Sequence, residues 1–171
     1  AHANVSTAKT RSKKLNALRE TAVLELLFAT GVRVSELCNI SKSDINLNEG
    51  TLIIHGKGRK ERIIQIENTD VLDILKKYRE LEHNEDFTAF FGNRNRRPLS
   101  DQSVRRIINK YTESAALEMH VTPHMFRHSF ATLLLDEGVD IRYIQQLLGH
   151  SSITTTQIYT HVSNAKLKDI L

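Results

Sequence analysis

Residues 51 to 66 break the pattern of the chain around them. Two β-rich runs, T-L-I-I-H (51 to 55) and R-I-I-Q-I (62 to 66), are joined by G-K-G-R-K-E, whose glycines supply the unusual backbone angles of a turn. They predict an antiparallel hairpin with a basic tip. The apolar residues elsewhere recur at helical spacing, so the expected fold is mainly α with a small antiparallel β-sheet, an α+β arrangement.

The helical pattern starts at Asn16, where Leu18, Val23, Leu24, Leu26, Leu27 and Phe28 supply a buried stripe that Gly31 closes. A short helix is expected at about 34 to 39 and a longer one at about 69 to 82. A third, at about 100 to 117, has Ser100 as N-cap and Val104, Ile107, Ile108 and Tyr111 on one face. At 123 to 136 Thr122 caps and Pro123 takes the first helical position. After Gly138, residues Ile141, Ile144, Leu147 and Leu148 form another stripe, ended by Gly149, and two short helices are expected at 152 to 158 and 164 to 171. Residues 1 to 14 are polar and basic without apolar periodicity. They read as a linker or a truncated end ahead of one folded unit, residues 15 to 171.

With 40% hydrophobic and 26% charged residues, the 171-residue chain can bury one core. Cys38 is the only cysteine, so no internal disulfide forms, and a reducing, cytoplasmic compartment fits. No apolar run approaches the roughly 20 residues of a membrane span, and no membrane partner is expected. The formal charge of +4 is modest, and its distribution says more. Basic residues cluster as Lys9, Arg11, Lys13, Lys14 and Arg19; as Lys57, Arg59, Lys60 and Arg62; as Arg94, Arg96 and Arg97; and as Arg105, Arg106 and Lys110. A single cluster reads equally well as a solvated face, but four in one small domain favour a phosphate backbone as shared target.

Several polar groups sit beside glycines or helix ends rather than on open surface. Arg33 follows Gly31 between two helices, with Glu36 three residues on to hold its guanidinium, a placement suited to bidentate phosphate contact. His124 and Arg127 share one face at a helix N-terminus, where free N–H groups favour an anion. H-M-F-R-H (124 to 128) has the histidine spacing of a helical zinc site. The metalloprotease version needs glutamate where Met125 stands, and Arg127 puts a positive charge beside any metal, so no metal is expected and His128 reads as a satisfied structural histidine. His150 follows Gly149, Tyr159 lies nine residues beyond it, and Lys57 occupies the hairpin tip.

These stretches together resemble the tyrosine recombinase family, the phage-integrase and Xer-like enzymes, from about Leu18 to the end. The resemblance is carried by L-F-A-T-G-V-R-V-S-E-L (27 to 37), H-G-K-G-R-K-E-R (55 to 62), T-P-H-M-F-R-H-S-F-A-T (122 to 132) and L-L-G-H-S-S-I-T-T-T-Q-I-Y-T-H-V (147 to 162). It implies a catalytic set of Arg33, Lys57, His124, Arg127, His150 and Tyr159, with Glu36 in support and none substituted. It also implies a separate DNA-clamping domain upstream, which this chain has no room for, so an isolated catalytic domain is expected.

The implied activity is site-specific recombination or integration of double-stranded DNA. Strands are cut and rejoined through a 3′-phosphotyrosyl link to Tyr159, and exchange proceeds through a Holliday junction in a tetrameric synapse. Two guanidiniums offset the charge of the transition state, and a phenol with a pKa near 10 needs a positive pocket or a base to attack at neutral pH. His124 is the candidate base and His150 a donor to the phosphate. Lys57 is the candidate acid for the leaving 5′ oxygen, with Lys60 as second choice. The phosphotyrosyl bond retains the energy of the one broken, so no cofactor is required. Arg59, Lys60, Arg62, Arg94, Arg96, Arg97, Arg105 and Arg106 are expected to contact DNA. In the terminal segment 164 to 171, Leu167, Ile170 and Leu171 form a short apolar face, which packs on its own domain or on a neighbouring subunit of a homotetramer. Two rival readings are a type IB topoisomerase-like domain, which rejoins the same strand, and a basic domain that binds DNA without catalysis.

Overall fold

The computed structural model describes residues 1–7, 10–56, 60–82 and 87–149. In order the elements are α1 (His2–Thr7), α2 (Arg11–Thr30), α3 (Val34–Cys38), β1 (Ile45–Asn46), β2 (Thr51–His55), β3 (Glu61–Gln65), α4 (Thr69–Glu82), α5 (Asp101–Ser114), α6 (Pro123–Asp136) and α7 (Ile141–Leu148). Among the described residues the fold is mainly helical with one three-stranded antiparallel sheet, as expected.

The other elements gather around α2. Leu18, Ala22, Val23, Leu26 and Leu27 are at most 1% exposed, and Thr21 and Thr30 are buried with them. A helix covered on most of its circumference sits inside a bundle, and α1, α3, α4, α5 and α6 all pack on this one. The Thr30 hydroxyl donates to the Leu26 carbonyl, which satisfies it within the helix. Phe28, expected in the buried stripe, is 45% exposed, because a wide apolar band leaves its last member outside. The helix also begins at Arg11, ahead of Asn16, with the Thr10 hydroxyl accepting from the Lys13 N–H. Residues 1 to 14 are therefore helical in part. The α1 turn carries too few apolar positions to show a period, yet Val5 packs on the core and His2 Nε2 lies 2.7 Å from Glu25 Oε1.

The sheet has the order β1-β2-β3, with Leu52 opposite Ile64 and Ile54 opposite Arg62. Side chains alternate across it: Leu52, Ile54 and Ile64 are buried, whereas Ile63 is 37% exposed. Residues 62, 64 and 66 share the inward parity. The two-residue strand β1 was not expected, being too short to show alternation. Beyond the sheet, α4 and the following segment bring Tyr78, Phe90 and Phe91 together with ring centroids 4.9 to 5.9 Å apart, an aromatic plug beneath α2.

Ser100 caps α5 through its hydroxyl, which accepts from the Ser103 N–H, and the helix ends at Ser114, short of residue 117. Thr122 takes the N-cap position of α6 but makes no side-chain capping bond. In α7, Ile144 and Leu148 are buried while Ile141 is 55% exposed. The helices expected at 152 to 158 and 164 to 171 lie outside the described residues.

Candidate active site

Gly31 determines where the first site arginine goes. It ends α2 in the left-handed region at φ 58°, and a Cβ there would lie 2.5 Å from Phe130 Cδ1 and 3.0 Å from Leu148 Cδ2. This close approach seats the end of α2 against α6 and α7 and turns the chain into α3, whose N-cap is Arg33.

Glu36, the third residue of α3, reaches back to that cap. Its Oε2 accepts the Arg33 N–H at 2.9 Å, and its Oε1 accepts Arg33 Nη1 at 3.0 Å. The sequence expectation of an Arg33–Glu36 pair is met. The larger part of Glu36's environment comes from elsewhere: Arg62 of β3 donates Nη1 to Oε1 at 3.0 Å and Nη2 to Oε2 at 2.7 Å. Two N–H groups thus reach each oxygen, and the Glu36 side chain is 7% exposed. Burial pushes its pKa up, but the hydrogen bonds from Arg62 and Arg33 outweigh burial and hold it below the usual carboxylate value.

All three buried or half-buried arginines of this region turn toward the C-terminal end of α7. A helix end presents carbonyls without intrahelical partners and the negative end of the dipole. Arg62 Nε donates to the Leu147 carbonyl at 2.7 Å, and Arg127 Nη2 to the Leu148 carbonyl at 2.6 Å. Arg33 Nη2 donates to the Gly149 carbonyl at 3.2 Å, and its Nη1 lies 3.5 Å from the Leu148 carbonyl. Arg127 also donates Nη1 to the Gly31 carbonyl at 2.8 Å. Burial, then the positive charge of Arg33, pulls the Arg127 pKa down to about 10, so the group remains a cation at neutral pH. Among the described residues, three guanidiniums, those of Arg33, Arg62 and Arg127, gather here with one carboxylate, Glu36, an excess of two positive charges. Arg33 is the open member, with 41% of its side chain exposed.

The other expected site residues fall into three groups. His124 is exposed on the first turn of α6, the helix that carries Arg127. His128 is exposed as well, so it is not a core histidine. Lys60, Arg94, Arg96, Arg97, Arg105 and Arg106 are exposed. Arg94, Arg96 and Arg97 sit on a tight loop in which Asn93 Oδ1 accepts from the N–H groups of Asn95 and Arg97. Arg62, expected among the DNA contacts, is instead directed inward with 14% of its side chain exposed. Lys57, Arg59, His150 and Tyr159 lie outside the described residues. By chain position alone, His150 follows Gly149, and Lys57 and Arg59 fall between β2 and β3.

Sequence reasoning missed the α7 carbonyls and the Arg62–Glu36 pair. The second had a signal, the shared inward parity of Arg62, Ile64 and Ile66. It also missed His55 at the hairpin base, whose Nε2 lies 2.8 Å from Asp44 Oδ1 and Nδ1 3.1 Å from Glu61 Oε1. The hydrogen bond to Asp44, opposed by slight burial, raises the His55 pKa.

Solved structures of recombinases share this mainly helical fold with its small antiparallel sheet. The fold of this chain superposes on the crystal structure of XerA recombinase with a TM-score of 0.74 at 38% identity, covering 94% of this chain and 61% of that one. It also matches XerH site-specific recombinase bound to palindromic difH substrate in a post-cleavage complex, with a TM-score of 0.72 at 25% identity over 98% of this chain and 48% of that one. The model of the phage integrase family matches residues 2–166. The chain therefore belongs to that family, the tyrosine recombinases. A tyrosine recombinase of Agathobacter rectalis is 59% identical over 97% of this chain, and tyrosine recombinase XerC of Bacillus subtilis is 42% identical over 89%. The chain spans about half the length of these relatives, 55% and 52% respectively.

Proposed function

We propose that the chain is the catalytic part of a site-specific recombinase acting on double-stranded DNA. The observation that carries this reading is the excess of two positive charges made by Arg33, Arg62 and Arg127 around Glu36. A phosphodiester bears one negative charge, and its five-coordinate transition state bears a second as the nucleophile's electrons arrive. Fixed guanidiniums match that charge better than they match the ground state, which is the condition for lowering a barrier.

The reaction is a balanced transesterification. The Tyr159 oxygen attacks phosphorus, the bond to the 5′ oxygen breaks, and a 3′-phosphotyrosyl ester and a 5′-hydroxyl result. His124, beside Arg127 on α6, takes the phenol proton. His150, next in sequence after Gly149, donates a hydrogen bond to a non-bridging oxygen. Lys57, on the β2–β3 connection, gives a proton to the leaving oxygen. Attack by a second strand's 5′-hydroxyl reverses the step on a new partner, so strand exchange through a Holliday junction in a tetramer follows, with segment 164–171 reaching a neighbouring subunit. Support comes from the kinship with named recombinases and from the structural likeness to XerH bound to its difH substrate.

The test is a covalent-adduct assay on a nicked duplex carrying the cognate site, in EDTA, comparing the chain with its Tyr159→Phe variant. A denaturation-resistant protein–DNA species formed only with Tyr159 is expected. A folded, DNA-bound chain that forms none would overturn the catalytic reading. Relaxed plasmid without recombinant product would move it to the topoisomerase-like alternative.

A further inference from the structure

Arg62 sits in the middle of a cationic cluster, with its side chain nearly buried. The geometry points to Arg62 as a positioning residue that, through Glu36, sets the direction of Arg33. This inference rests on the recombinase reading above.

Strand parity starts the argument. Arg62 stands opposite Ile54 in the sheet and shares its inward face with Ile64 and Ile66, so its side chain is directed into the domain. There it spends both terminal nitrogens on the two oxygens of Glu36 and its Nε on the Leu147 carbonyl. The planar fork suits this arrangement, with two parallel bonds to a carboxylate and a third donor at an angle. Gly149 covers the group: a Cβ at that position would lie 3.0 Å from Arg62 Nη1. Turning these three donors to a phosphate instead would leave a nearly buried carboxylate short of donors, which is costly.

The consequence falls on Arg33. With one arginine, the Glu36 carboxylate would neutralise it and draw its guanidinium inward. With Arg62 supplying two of the four bonds, Glu36 still orients Arg33 through the backbone N–H and Nη1, while the cluster keeps its positive excess. Arg62 also joins three separate pieces of the site. It lies on the strand that continues from the Lys57 connection, it binds the helix that follows Arg33, and it binds the helix end that precedes His150. A shift of about 1 Å among such pieces costs on the order of 100-fold in rate.

The experiment compares wild type, Arg62→Ala and Arg62→Lys in the 171-residue chain. Two readouts are needed: the single-turnover rate of Tyr159 adduct formation, and duplex affinity as a function of salt. Lysine keeps a cation beside Glu36, and so keeps the domain folded, but one ammonium cannot hold both oxygens and the Leu147 carbonyl. Both variants should lose tenfold or more in rate, with affinity and salt slope unchanged. A merely structural role would lower rate and affinity together, in proportion to the folded fraction. Two results overturn the inference: a rate within twofold of wild type for both variants, or a salt slope shallower by about one, which would make Arg62 a phosphate contact. If wild type binds DNA without forming a Tyr159 adduct, the recombinase reading itself fails, and that is seen before any Arg62 variant is compared.

Discussion

A carboxylate with 7% of its side chain exposed pays a penalty for ionising, and Glu36 is nonetheless held below the usual carboxylate pKa because four N–H donors reach it. A group whose pKa is depressed on folding adds stability above its unfolded value, near 4.3 for glutamate, and that stability is lost as pH falls through the folded value. Glu36→Gln should therefore cost about 1–3 kcal/mol at neutral pH, since the amide cannot accept all four bonds. The difference from wild type should shrink between about pH 5 and pH 3, where wild type loses the ionised form. Urea denaturation across that range measures it. Asp44, also depressed, titrates in both proteins and cancels, and His55, whose pKa is raised, stays protonated throughout. A pH-independent difference would show that Glu36 is not held as a carboxylate. At this scale the sequence was half legible. Arg33 and Glu36 are three residues apart, so helical geometry alone joins them. Arg62 is 26 residues from Glu36, and its pairing there could not be read from charge alone, without strand parity.

Elements were read best where two independent signals agreed. At α4 and α6 the bounds match, and at α6 Thr122 and Pro123 mark the start while Gly138 follows the end. Where one signal was missing the reading slipped: β1 is too short to alternate, α1 too short to repeat, and with no glycine to mark the end of α5 the expected helix overran Ser114 to residue 117. The element that matters most for the site is the junction of α2, α6 and α7 at Gly31. Alanine there combines a left-handed backbone, costing about 1–2 kcal/mol, with overpacking against Phe130, which is 2% exposed and has nowhere to go, costing about 1–3 kcal/mol. Gly31→Ala should destabilise the chain by about 2–5 kcal/mol in urea denaturation. It should also slow adduct formation in the fraction that remains folded, because the Gly31 carbonyl is an anchor of Arg127. A change below about 0.5 kcal/mol would mean that the close packing of α2 against α6 and α7 is not present in solution.

For the whole molecule the charge is +4, too small to single out a polyanion partner, so the placement of the cations matters more than their number. Lys60, Arg94, Arg96, Arg97, Arg105 and Arg106 are all exposed, whereas Arg33, Arg62 and Arg127 are drawn into the site by carbonyls and Glu36. On the proposed function, the exposed cations would hold a strand, while Arg33 and Arg127 would act on one phosphate with Arg62 behind them. Composition could not reveal that division, because it follows from the inward turn of β3 and from the end of α7. Each exposed cation that meets a DNA phosphate releases about 0.9 of a counterion, so log affinity should fall linearly and steeply with log salt. Replacing Arg105 and Arg106 of α5 by alanine should make that slope shallower by up to about 1.8. Fluorescence anisotropy with a labelled duplex at several salt concentrations reads it directly. The rate of adduct formation at saturating DNA should stay within a few-fold of wild type, since neither residue belongs to the arginine cluster. An unchanged slope would place α5 away from the duplex. A slope near zero in wild type would remove the electrostatic basis for DNA binding altogether. If the double variant instead keeps its slope and loses its rate, the exposed and enclosed cations are not separate in function, and the division of labour argued from burial is wrong.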